Sequence, residues 1–127
     1  MRLADLDILV VDDHEAMRTL LLRVLNRAGV PRLRSAEAGA QALALLAERP
    51  ANLILVDQSM PGMDGAAFIK TVRAEPALAS ARVIMITGRT ETAQTGAARQ
   101  AGADAVLIKP VTPRALLEAI DAVFAQS

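Results

Sequence analysis

A chain of 127 residues, 53% of them apolar and none of them cysteine, is sized for one domain whose core needs no disulfides, and it has no thiol nucleophile or thiolate metal site. Fourteen basic residues balance fourteen acidic ones, so no basic stripe marks nucleic acid, and Phe68 and Phe124 as the only aromatics leave no stacking platform for single strands. No apolar run approaches the ~20 residues that span a bilayer, and the acidic start Met1-Arg-Leu-Ala-Asp-Leu-Asp7 does not fit a signal peptide, so a soluble cytoplasmic protein is expected.

Strand and helix alternate five times along the chain. A first strand is predicted at Asp7–Val11 and runs into Asp12-Asp13. The helix after it sets Met17, Leu20, Leu21, Val24, Leu25 and Ala28 on one apolar face, is ended by Gly29 and cannot continue through Pro31. A second strand, Arg32–Ala36, leads to a helix over Ala38–Glu48 that stops before Pro50. The third strand, Asn52–Val56, ends at Asp57; its helix, Gly65–Ala74, buries Phe68, Ile69 and Val72 and stops before Pro76. A fourth strand, Arg82–Ile86, meets Thr87-Gly88. Its helix, Glu91–Ala101, holds Thr92, Thr95 and Gly96, has no large apolar residue, and is expected to be the least stable of the five. The fifth strand, Ala105–Ile108, ends at Lys109-Pro110, and a last helix starts at Pro113, which suits a first helical turn, and carries Leu116, Leu117, Ile120, Val123 and Phe124. No linker or repeat divides the chain, so a single domain over residues 1–127 with no output domain is expected.

The runs Ile8-Leu-Val-Val-Asp12, Leu53-Ile-Leu-Val-Asp57 and Val83-Ile-Met-Ile-Thr87 are apolar throughout, as in strands buried on both faces of a parallel sheet. Alternating βα units with right-handed crossovers give a doubly wound, five-stranded α/β sheet, (βα)5, and the flavodoxin-like strand order 2-1-3-4-5 sets strands 1 and 3 side by side at the switch point. Asp12, Asp13, Asp57, Thr87 and Lys109 then converge on the carboxyl edge, where such sheets bind ligands. Two unit charges ~4 Å apart repel by about 4 kcal/mol at an effective dielectric of 20, so an acidic cluster of this kind asks for a cation. A hard divalent ion with oxygen ligands meets that need: Mg2+ is implied, and Mn2+ is a plausible substitute. A carboxylate beside such an ion can act as a nucleophile and form an acyl phosphate, with Lys109 and Thr87 as donors to the added oxygens.

Asp57-Gln-Ser-Met-Pro61-Gly-Met-Asp64-Gly65 resembles the phosphoacceptor loop of bacterial response-regulator receiver domains. Val11-Asp12-Asp13, Ile86-Thr87-Gly88 and Ile108-Lys109-Pro110 resemble the family's other signatures, in the same order, so the likeness covers essentially the whole chain, as a stand-alone, CheY-like receiver. The resemblance implies that Asp57 accepts a phosphoryl group from a sensor histidine kinase or a histidine phosphotransfer protein. It also implies that Asp13, Asp57 and the Ser59 carbonyl hold Mg2+ directly while Asp12 acts through metal-bound water. Lys109 would contact the phosphoryl group, Thr87 would turn towards it, and Lys109-Pro110 would be a cis peptide. A change in the face made by helix 4, strand 5 and helix 5 would then reach a downstream protein target, with the chain as a monomer or weak dimer. Many receivers carry Tyr or Phe where this chain has Val106, and a stiff valine cannot fill the same volume, so coupling through Thr87, the loop Gly88–Thr90 and helix 4 is expected instead. Ser59 and Arg89 are the positions expected to flank the path of attacking water.

Each residue also has a plainer reading. Asp12 or Asp13 suits a helix N-cap, Asp57 a turn former before Met60-Pro61, and Thr87-Gly88 a strand end. His14 reads as an exposed first-turn residue and Asp64 as turn chemistry with Gly65, neither as a metal ligand. Lys109 stands out as one of two lysines against twelve arginines. Two other classes use related parts. An aspartate-nucleophile phosphatase of the haloacid-dehalogenase type normally ends strand 1 in Asp-x-Asp and carries a cap, unlike Asp12-Asp13 on this short chain. A receiver-like interaction module that is never phosphorylated is the alternative function, but it has no need of the repulsive acidic cluster.

Overall fold

The computed structural model describes residues 2–88 and 92–125, with residues 92–95 as backbone only. After a 3-10 turn at Leu3–Asp5 come β1 (Asp7–Val11), α1 (Glu15–Arg27), β2 (Arg32–Ala36), α2 (Gly39–Glu48), β3 (Leu53–Asp57), α3 (Gly65–Ala74), β4 (Arg82–Thr87), α4 (Thr92–Ala101), β5 (Ala105–Ile108) and α5 (Pro113–Ala125). Every pairing is parallel and the order is β2-β1-β3-β4-β5, the doubly wound arrangement expected from the alternation. Arg89, Thr90 and Glu91, and with them the expected start of the fourth helix, lie outside the described residues.

Every residue of β1 and β3 is buried, because helices cover the sheet on both sides. The period-two alternation sorts the side chains between two cores. Leu9, Val11, Ile54, Val56, Val83 and Met85 meet Leu46 of α2, Phe68, Ile69 and Val72 of α3, and Ala98 and Ala101 of α4. Ile8, Val10, Leu53, Leu55, Ile84 and Ile86 meet Leu21 and Leu25 of α1 and Leu116, Ile120 and Val123 of α5. Burying a side chain of this kind stabilises the fold by about 1.5–3 kcal/mol each, so neither run tolerates a polar substitution.

Two expectations shift. The apolar face assigned to α1 is too wide: Leu21 and Leu25 are buried, Met17, Val24 and Ala28 are half-buried, and Leu20 is 42% exposed. A helix advances 100° per residue, so a face centred on Leu21 and Leu25 carries Leu20 round to solvent. The third strand begins at Leu53, since the Asn52 carboxamide is used to accept the Asp7 N–H at 2.7 Å, and it ends on Asp57, which pairs with Ile86. Gly29 closes α1 as expected, at φ 99°, with the Val30 N–H on the Leu25 carbonyl.

The short α4 is fastened at its carboxyl end. Arg73 of α3 donates Nε (3.0 Å) and Nη2 (2.8 Å) to the Gly102 carbonyl, Nη2 to Asp104 Oδ2 at 2.9 Å, and Nη1 to the carbonyls of Ala79 and Ala81. Asp104 Oδ2 also accepts the Val83 N–H, so one guanidinium ties α3, the start of β4 and the exit of α4 together. Removing it leaves several part-buried acceptors unmatched. Arg73→Ala is expected to cost about 2–3 kcal/mol in urea unfolding, against about 0.5 kcal/mol or less for Arg114→Ala, whose pair with Glu118 is exposed.

Candidate functional site at the carboxyl edge

Register brings the acidic residues together. Val11 pairs with Val56 across β1 and β3, so the next residues, Asp12 and Asp57, leave the sheet side by side. The ladders run on beyond the strands: Asp12 N–H donates to Ala36, Gln58 N–H to Ile86 and Lys109 N–H to Thr87. These bonds fix the backbone from which each functional side chain departs. Lys109 Nζ reaches Asp57 Oδ1 at 3.0 Å, and the Lys109-Pro110 peptide is cis.

The loop after Asp57 folds back onto it. Gln58 Oε1 accepts the Ala66 N–H at 3.0 Å, the Gln58 carbonyl accepts the Gly65 N–H at 3.0 Å, and Asp64 Oδ1 caps α3 by accepting the Ala67 N–H at 2.8 Å. Gly65 is required by this approach, because a Cβ there would lie 2.7 Å from the Asp57 carbonyl oxygen. Asp64 therefore does the turn chemistry expected of it. Ser59 is exposed, and Thr87 is buried at the end of β4.

Asp12 and Asp57 are almost completely buried, and Asp13 is partly so, with a side chain 28% exposed. Asp12 Oδ1 accepts the His14 N–H at 2.8 Å, while its carbonyl accepts Arg18 Nη1 at 2.7 Å. The N-cap of α1 is His14, not an aspartate. Asp12 Oδ2, Asp13 Oδ1 and Asp57 Oδ2 have no hydrogen-bond partner. The Asp57 carboxyl is pushed above the ordinary value of 3.8, first by burial and also by the Asp12 and Asp13 charges, against the lowering effect of Lys109.

Asp7, at the other end of β1, makes the contrast. Its two oxygens meet Arg34 Nη2 at 3.1 Å and Arg49 Nε at 2.6 Å, so that buried carboxylate is matched by two cations. At the carboxyl edge, among the described residues, Lys109 pairs with Asp57, while Asp12 and Asp13 have no lysine or arginine partner for their carboxylates. Orphaned, converging carboxylate oxygens are what a hard divalent cation binds, and the donor set fits one.

The structure thus brings together Asp12, Asp13, Asp57 and Lys109 and sets Thr87 on the same edge, all expected from sequence. Arg89 lies outside the described residues. The sequence reads His14 as an exposed residue beside the cluster and not as a metal ligand. Its side chain is indeed 66% exposed, but Nδ1 lies 3.2 Å from Asp12 Oδ1 and 3.1 Å from Asp13 Oδ1. Arg18 and Gln58, which hold the backbone of Asp12 and the loop after Asp57, carried no sequence signal beyond their nearness to the motifs.

A doubly wound α/β protein with an acidic site at its switch point is the class these observations define. The response regulator receiver domain profile matches residues 8–121, and the chain belongs to that family. It is 38% identical over 117 residues to the probable chemotaxis protein CheY of Rhizobium etli, covering 92% of this chain and 91% of that one. It is 33% identical over 120 residues to chemotaxis protein CheY-3 of Vibrio cholerae, covering 94% and 92%. Among solved structures it superposes on Vibrio cholerae chemotaxis protein CheY4 with a TM-score of 0.87 at 30% identity, covering 92% of this chain and 97% of that one. Family membership places the chain in phosphorylation-dependent two-component signalling, as a switch and not as a classical enzyme. Among the described residues no helix is long and apolar enough to cross a membrane.

A carboxyl whose pKa is raised by folding adds stability below its unfolded pKa, and that stability is lost as pH rises through the folded value. In chelator, Asp57→Asn is therefore expected to unfold a few degrees above wild type at neutral pH. The gap should close as the pH falls below the raised Asp57 value, in thermal melts followed by circular dichroism.

Proposed function

We propose that the chain is a phosphorylation-controlled signalling switch whose acceptor is Asp57. The observation that carries this reading is the state of that one carboxylate: Oδ1 is held by Lys109 at 3.0 Å while Oδ2 is buried and unpartnered. Oδ2 attacks the phosphorus of a phosphohistidine on a sensor histidine kinase or a histidine phosphotransfer protein. The P–O bond forms as the P–N bond breaks, the imidazole leaves, and an acyl phosphate remains on Asp57. Mg2+, with Mn2+ as a substitute, would be held by Asp12, Asp13, Asp57 and the Ser59 carbonyl, and supplies charge neutralisation for the incoming phosphoryl oxygens. Lys109 transfers its contact from the carboxylate to a phosphoryl oxygen, and the Thr87 hydroxyl turns to donate to another. Arg18, through the Asp12 carbonyl, is a positioning residue.

The output runs through α4, β5 and α5 to a protein target, in a single-domain, soluble cytoplasmic chain that is monomeric or weakly dimeric and does not bind nucleic acid. Ile108 on β5 is 37% exposed and Val106 and Leu107 are half-buried, so this edge strand offers apolar surface to a partner. Arg73 fixes the carboxyl end of α4, so the amino end, which follows Thr87 in the chain, is the end assigned to the change; Val106 is too small to serve as an aromatic gate.

Two measurements test this. Intact mass after incubation with acetyl phosphate and Mg2+ should show one added phosphoryl group, absent in Asp57→Asn, and Lys109→Gln should slow its appearance about a hundredfold or more. No adduct from acetyl phosphate or from a histidine kinase would overturn the reading. Hydrogen exchange over residues 92–101 should change when a phosphoryl mimic is added, with the larger change at the amino end of α4; unchanged protection would remove α4 from the switch.

A further inference from the structure

We infer that His14 is a fourth donor of the acidic site, one that makes the site select for borderline transition ions such as Ni2+ over Mg2+. The inference rests on the reading above, in which the three aspartates take a divalent cation, and it names a nitrogen ligand that an all-oxygen site lacks. His14 is anchored on both sides. Its N–H donates to Asp12 Oδ1 at 2.8 Å and its carbonyl accepts the Arg18 N–H at 3.1 Å, so the extended backbone at φ −94° and ψ 116° is held where the ring lies over the carboxylates.

The spacing is that of ligands. Nδ1 lies 3.2 Å from Asp12 Oδ1 and 3.1 Å from Asp13 Oδ1, and one donor atom from each of Asp12, Asp13, His14 and Asp57 falls within 4.8 Å of the others. Neighbouring donors on an octahedral ion with bonds of about 2.1 Å are about 3.0 Å apart. Asp13 Oδ1, despite its nearness to Nδ1, is not hydrogen-bonded to it. Among the described residues the ring has no partner outside these two carboxylates. The independent pointer to an ion is the pair of unpartnered oxygens, Asp12 Oδ2 and Asp57 Oδ2, on side chains only 1% and 2% exposed.

Chemistry turns that geometry into selectivity. Mg2+ prefers oxygen donors and gains little from an imidazole, whereas Ni2+ and Co2+ bind imidazole well and stand higher in the affinity order of divalent ions. Losing a residue that merely orients a metal ligand costs about 10–100-fold in affinity, so losing a direct ligand should cost at least about tenfold. The ring could instead serve as a plain counter-cation to Asp12 and Asp13, displaced when any ion enters, and this predicts the opposite result.

The test is calorimetric titration of the metal-free chain with Mg2+ and with Ni2+, for wild type and His14→Asn, a substitution that keeps a favourable N-cap for α1. Expected are Ni2+ binding weakened about tenfold or more and Mg2+ binding changed less than about threefold. Mn2+-loaded wild type should show imidazole nitrogen modulation in its electron spin echo, and the variant should not. An unchanged ratio of the Ni2+ and Mg2+ dissociation constants, or tighter binding of both ions by the variant, would overturn the inference while leaving phosphorylation of Asp57 intact. Failure of wild type to bind Mg2+ at all would overturn the metal-site reading beneath it as well.

Discussion

Charge is left unbalanced at one edge of the sheet, and the site's chemistry follows from that. Asp12, Asp13 and Asp57 are held close together, Lys109 pairs with Asp57 alone, and three of the carboxylate oxygens are unmatched. A fold does not gather buried carboxylates for stability: each one costs desolvation, and each raises the cost of the next. Burial and the neighbouring charges hold Asp57 above its ordinary pKa even against Lys109. Under the proposed function, a divalent ion at the acidic oxygens would offset that cost, and donors would do the same for a phosphoryl group on Asp57. On that reading, relief of the repulsion would contribute binding energy for both.

Holding that imbalance in place is the work of groups that are themselves well satisfied. The register of β1 against β3 sets Asp12 beside Asp57, and one backbone bond beyond each ladder fixes the departure point of Asp12, Gln58 and Lys109. Arg18 pins the Asp12 carbonyl, Gln58 and Asp64 cap the start of α3, and Gly65 lets the loop close against the Asp57 carbonyl. Repulsion alone would splay the three aspartates; this backing turns it into a fixed donor set.

Much of this was legible from the residues. The strands were, because a sheet covered on both faces needs unbroken apolar runs, and Asp12, Asp57 and Lys109 were because they end those runs. The α1 face was drawn too wide at Leu20, since a count of apolar residues does not say where the centre of a helix face lies. His14 lies beside the cluster in sequence, but that its ring turns onto Asp12 and Asp13 comes from the turn in which Asp12 Oδ1 accepts its N–H, which no spacing rule reports. Arg73 and Gln58 were missed for a related reason. Their partners are mostly backbone carbonyls and N–H groups brought up by the fold, and these carry no residue type to recognise.

The two ends of β1 separate structural from functional charge. Asp7 is buried with both oxygens on guanidinium groups of Arg34 and Arg49, and its backbone N–H and carbonyl are both bonded to Asn52. Just past the other end of the strand, Asp12 is equally buried and leaves Oδ2 unmatched. Burial alone therefore says little about role; what distinguishes the two aspartates is whether the fold completes their hydrogen bonds. Where it does, the pair fastens β1 to β2 and the end of α2. At the other end, among the described residues, Asp12 Oδ2 and Asp57 Oδ2 stay unmatched, and under the proposed function these are the atoms that a cation and a phosphoryl group would engage.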